Sequence, residues 1–144
     1  MLEVERTALR LSPDEWIIHL YGPNISGGAL DAVRDPVENA LWELAARVLA
    51  LGLDVILENG FWSRVEREDY RARATQLGAR SELHFTNTSR EEMLARLEKR
   101  NAQLPPGSFR IGKARLLTWF EIFESPDDDE LKPREASVPS SYGR

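Results

Sequence analysis

The segment Ala8-Leu9-Arg10-Leu11-Ser12-Pro13-Asp14-Glu15-Trp16 delivers a carboxylate to a strand–helix junction. Ser12 suits an N-cap, Pro13 the first helical position, and Glu15 closes a capping box. Asp14 then sits in the first helical turn, just beyond the carboxyl end of a short apolar strand. In open α/β sheets ligands gather at that edge, so Asp14 is placed to meet one. The same acid would also complement the helix dipole, a contribution of only about 0.3–1 kcal/mol. Arg34 follows Asp31 by three residues, so the two share a helix face if that segment is helical. It can contact an anionic ligand or pair with Asp31 or Glu38. Glu58 and Asn59 end a second strand, Leu53-Asp54-Val55-Ile56-Leu57. Arg96 and Arg100 are four apart and share a helix face, open to an anion or to ion pairing with Glu92.

The elements that carry these residues read from local signals. Capping patterns start helices at Ser12, Asp35-Pro36, Ser63 and Ser89, giving helices over 36–51, 63–77 and 89–102. Val37, Leu41, Leu44, Val48 and Leu51 make one apolar stripe, and Gly52 and Gly78 are stops. A last helix is expected over 111–124, with Leu116, Leu117, Phe120 and Phe123. Strands are expected over 8–12, 53–57 and 81–85, each followed by a helix, which implies an α/β fold with a parallel sheet. Residues 22–28 read as a loop, and 125–144, rich in proline, serine and acid, as a tail.

Composition narrows the classes. At 144 residues and 42% hydrophobic content, one domain with an ordinary core is expected. The chain has no apolar run of membrane-spanning length, and Met1-Leu2-Glu3-Val4-Glu5-Arg6 lacks the apolar region of a signal peptide, so no membrane partner is expected. Without cysteine there is no disulfide and no thiolate metal site, and the cytoplasm is the expected compartment. A formal net charge of −5 argues against general nucleic-acid binding. His19 and His84 are far apart and carry no zinc site.

Taken in order, Leu11-Ser-Pro-Asp-Glu-Trp16, Asp31…Arg34, Asp54-Val-Ile-Leu-Glu-Asn-Gly-Phe-Trp-Ser-Arg64 and Arg96-Leu-Glu-Lys-Arg100-Asn resemble small P-loop kinases of the AAA-type ATP-binding class. These are similar to zeta toxins, chloramphenicol phosphotransferase and polynucleotide 5′-kinases, and the resemblance covers roughly 3–131. It implies a P-loop NTPase-like three-layer α/β/α domain over 1–130, with a helical lid about 89–124 and a tail over 131–144. It implies ATP and magnesium as cofactors and transfer of a phosphoryl group to a small-molecule or nucleotide hydroxyl. Asp14 would take or orient the proton of that hydroxyl, and Arg34 and Arg64 would contact the acceptor. Arg96, Arg100 and Arg110 would meet ATP and the transferring phosphoryl charge.

One part of the family pattern is missing. The residues before Ser12 contain no glycine, and nowhere does a Gly-x-x-x-x-Gly-Lys-Ser/Thr loop occur. The expectation is therefore an N-terminally truncated or degenerate member, inactive by itself, whose sheet lacks its central P-loop strand. The alternative is a non-catalytic remnant that binds a ligand or partner. Without that strand, the sheet is expected to close by pairing 53–57 with 81–85, by a filler such as Ala136-Ser137-Val138, or by a homodimer that shares strands.

Overall fold

The computed structural model describes residues 2–86, 88–103 and 111–136, which group into two compact units. The first spans 1–60 and 88–121, the second 61–87 and 122–144.

In the first unit, helix α1 (Leu2–Arg6) turns through Thr7, at φ 51°, into strand β1 (Ala8–Leu11). Helix α2 (Pro13–Tyr21) follows, with Ser12 Oγ accepting from the Glu15 N–H at 3.4 Å, as the capping box requires. Helix α3 (Gly27–Ala50) leads into strand β2 (Asp54–Leu57), which pairs in parallel with β1 in the register Ala8↔Asp54 to Leu11↔Leu57. Leu11, Ile17, Leu30, Val37, Leu41 and Ala45 form the core, and Val55 and Leu57 pack against it from the sheet. Ile17 has no exposed surface, so truncation leaves a cavity. Ile17→Ala should lower unfolding stability by about 2–5 kcal/mol in a denaturant titration; a loss near zero would show that this core does not support the unit.

Two departures from the sequence reading belong to this unit, and a third concerns the strand expected over 81–85, a segment of the second unit. The expected helix start at Asp35-Pro36 is not a start: Pro36 lies inside α3, because the apolar stripe continues back through Val33 and Leu30. Burial of that stripe outweighs the hydrogen bond that proline forgoes. Leu51 does not extend the stripe; it follows the helix in a turn and is 78% exposed. The segment 81–85 is not a strand, so β1 and β2 form a two-stranded sheet among the described residues. The expected closure of 53–57 onto 81–85 is therefore absent. Helices α5 (Arg90–Gln103) and α6 (Lys113–Ile122) complete the unit and bury Leu97 and Leu116. Ser89 Oγ caps α5 through the Glu92 N–H, and Asn101 both donates to and accepts from the Ile111 backbone.

The second unit is built on helix α4 (Arg64–Gln76), capped by Ser63 Oγ. Within this charged helix Arg67 and Arg71 are buried. Arg67 donates Nε and Nη2 to the two carboxylate oxygens of Glu130, at 3.0 and 3.3 Å, and Nη1 to the Phe61 carbonyl at 2.9 Å. Arg71 donates to the carbonyls of Glu130 and Lys132 and to Ser81 Oγ. Arg134 holds Glu68 through two bonds and pairs its backbone with Ser81. The described part of the segment expected as a tail, 125–136, is thus held by the second unit and includes the short helix α7 (Asp128–Leu131) with its Asp127–Glu130 capping box. Ser81 finds its bridge partner in Arg134, and Phe85 stacks on Phe123, which accounts for 81–85 running as an irregular segment. Val138, in the segment named above as a filler, lies outside the described residues. No helix among the described residues is long and apolar enough to cross a membrane.

Candidate functional site

The parallel pairing of β1 and β2 brings their carboxyl ends side by side. The ladder continues one residue beyond β2, where the Glu58 N–H donates to the Leu11 carbonyl at 3.0 Å. That bond fixes Glu58 next to the β1–α2 junction, and the same junction carries Asp14 and Glu15 into the first turn of α2. Arg10, one residue before the end of β1, reaches across the strand ends. Its guanidinium donates to Glu15 Oε1 at 2.6 Å and to Glu58 Oε2 at 2.8 Å, and its Nε lies 3.6 Å from Glu3. Hydrogen bonds to Glu15 and Glu58 stabilise its charged form and hold its pKa above the ordinary arginine value. Arg10 Nε is buried without a hydrogen-bond partner.

Asp14 has a different partner. Arg34, projecting from α3, donates Nη1 to Asp14 Oδ1 at 3.1 Å. Asp31, one of the alternative partners, instead binds Arg115 of α6 at 2.7 Å. The Asp14 side chain keeps 45% of its surface exposed, and Oδ2 has no donor among the described residues. One oxygen is thus oriented by a cation while the other remains open to a hydroxyl. A shallow cleft lined by Glu15, Trp16 and His19 runs along the exposed side of α2.

The other residues singled out from the sequence are distributed as follows. Arg96 is exposed and Arg100 half-buried on α5, and neither forms an ion pair with Glu92 or with any other described residue. Neither joins the Asp14–Arg34 pair. Arg64 belongs to the second unit, where it is bound to Asp127. Arg110 lies outside the described residues. Glu58 is engaged by Arg10. Sequence reasoning overlooked Arg10, although an arginine flanked by leucines at the end of a strand was a visible signal: a cation there needs a carboxylate partner.

A magnesium–triphosphate complex does not fit the described residues. Gly27 and Gly28 open α3, but no lysine follows them, and Lys99, Lys113 and Lys132 are exposed on other elements. Among the described residues no cluster of three His, Cys, Asp or Glu side chains is placed to hold a metal ion.

Neither the curated proteins nor the solved structures provide a significant match to the chain. A family model does. Residues 2–126 match the one described as an AAA domain, a span that takes in β1, β2 and the charged groups at their carboxyl ends. The chain belongs to the AAA domain family, a P-loop NTPase-like group.

Proposed function

We propose that this chain provides the acceptor-activating part of a P-loop kinase-like phosphotransferase. In this reading Asp14 Oδ2 takes or orients the proton of an attacking hydroxyl on a small molecule or nucleotide, while Arg34 fixes the carboxylate through Oδ1. The observation that carries it is the Asp14–Arg34 pair at the carboxyl end of β1, with one carboxylate oxygen open, in a chain of the AAA domain family. Such positioned proton transfer typically contributes about 10²–10⁴-fold. Arg96 and Arg100 are assigned to the lid, where they meet charge on the transferring phosphoryl group; their lack of ion-pair partners among the described residues supports that role. ATP and magnesium belong to the proposed reaction, but their anchoring falls to a Gly-x-x-x-x-Gly-Lys-Ser/Thr loop that these residues do not contain.

A second reading is a non-catalytic module that binds a ligand or partner. The poor fit to a triphosphate favours it for the chain by itself.

Phosphoryl transfer from radiolabelled ATP to a panel of hydroxyl acceptors separates the two. The chain as given should transfer nothing above background. A version carrying a strand, a Gly-x-x-x-x-Gly-Lys-Ser loop and a helix ahead of Leu2 should become active. In that version Arg96→Ala and Arg100→Ala should each lower turnover by about 10²-fold and leave the melting temperature unchanged. An inert loop-bearing protein that binds ATP would favour the non-catalytic module. Variants that melt early but turn over normally would make both arginines structural.

A further inference from the structure

We infer that the outer edge of β2 is a self-association surface, at which a second copy of this chain adds its own β2 in antiparallel orientation. The hydrogen-bond phase of the sheet is the starting point. The Glu58 N–H bonds the Leu11 carbonyl, and Leu11 is in register with Leu57. In a parallel ladder alternate residues turn both backbone groups to the same neighbour. Asp54, Ile56 and Glu58 therefore serve β1, and the N–H and C=O groups of Val55 and Leu57 point to the other edge. No strand among the described residues pairs with that edge.

An unpaired edge on a two-stranded sheet is a template for another strand, and two strands alone form a sheet of marginal stability. This edge carries no device that would block pairing. Val55, Ile56 and Leu57 are apolar, β2 contains no lysine and no proline, and its regular register shows no bulge. Leu53 and Leu51, just before the strand, are 54% and 78% exposed.

The sequence selects a second copy as the occupant because it is self-complementary in one register. With Val55 on the two-fold axis, Val55 faces Val55 of the partner subunit and Leu53 faces Leu57 of the partner subunit. Asp54 then lies opposite Ile56 of the partner subunit, and Glu58 opposite Gly52 of the partner subunit. No acid faces an acid. This register also matches the free backbone groups: Val55 exchanges both bonds with its counterpart, and the Leu57 N–H donates to the Leu53 carbonyl across the axis. A register centred on Ile56 would set Asp54 against Glu58, like charges directly opposed. One centred on Leu57 would set Val55 against Asn59. The product is a continuous four-stranded sheet in the order β1-β2-β2-β1, with an isologous interface.

Sedimentation equilibrium over a micromolar concentration series, paired with residue-resolved amide exchange, tests this on the unmodified chain. A monomer–dimer equilibrium is expected. The Val55 and Leu57 amides should become protected as concentration rises, whereas the Ile56 amide, bonded within the ladder to β1, is protected throughout. Val55→Pro removes one outward N–H without touching the groups that serve β1, and should weaken dimerisation by about tenfold or more. If that variant does not fold, the exchange pattern of the unmodified chain decides. A chain that stays monomeric overturns the inference. So does a dimer whose Val55 and Leu57 amides exchange freely, or one that forms equally well with proline at position 55.

Discussion

Replacing Glu130 by alanine should destabilise the second unit by about 3–5 kcal/mol, the cost of leaving a buried cation without its counter-charge. Glu130 and Arg67 are both about 2% exposed as side chains. The carboxylate accepts from Arg67 Nε and Nη2 and from the Asp127 N–H, so one truncation orphans a guanidinium and a helix cap together. Arg71 hangs on the same segment through the carbonyls of Glu130 and Lys132. Loss of Glu130 should therefore free the stretch from Asp127 to Arg134. Pairing with Arg67 holds the Glu130 carboxyl below its usual range, and Arg134 does the same for Glu68. A depressed folded-state pKa means stability present above the unfolded value, about 4.3 for glutamate, and lost as pH falls through the folded value. Urea titrations of the parent should thus show stability falling on acidification below about pH 5. Glu130→Ala should start low at neutral pH and fall less. The double variant Arg67→Met, Glu130→Leu should recover much of the loss, because a buried ion pair is often no better than apolar packing. A Glu130→Ala loss under about 1 kcal/mol would mean that the pair is hydrated and does not hold the segment.

The fold was legible where local chemistry decides it. Ser12, Ser63 and Ser89 each accept from the backbone N–H three residues on, as the Ser-x-x-Glu pattern requires, because a cap depends only on its own turn. The strands at 8–11 and 54–57 and the placement of Asp14 after β1 followed from strand–helix alternation, but which strand lies beside which did not. What failed depended on distant partners. Pro36 looked like a first helical residue until packing of Leu30 and Val33 carried α3 back to Gly27. Nothing local marked Arg67 and Arg71 as buried, because their partners lie about sixty residues away. The acid-rich end of the chain looked like a tail for the same reason: Glu130 is soluble in composition but buried in fact. The segment 81–85 had strand composition, but no strand among the described residues pairs with it. In the site, Asp14 was visible, but its partner Arg34 is twenty residues away and required α2 to pack on α3.

Asp14→Asn addresses the acceptor-site reading directly. Asparagine keeps the size of the side chain and an oxygen for Arg34 to bind, and the α2 cap belongs to Ser12 rather than to Asp14. The substitution removes only the group able to take a proton. Its effect should fall on turnover and not on nucleotide binding, because an interaction made with the attacking hydroxyl strengthens as the proton leaves. Arg34→Ala should act less severely, since it frees the carboxylate without removing it. The decisive measurement is single-turnover phosphoryl transfer at saturating ATP by the loop-bearing protein, with Asp14 and with Asn at that position. The account predicts a fall of about 10²–10⁴-fold with ATP affinity unchanged. Equal rates in the two proteins, with both folded and ATP-bound, would contradict it and remove Asp14 from the chemistry.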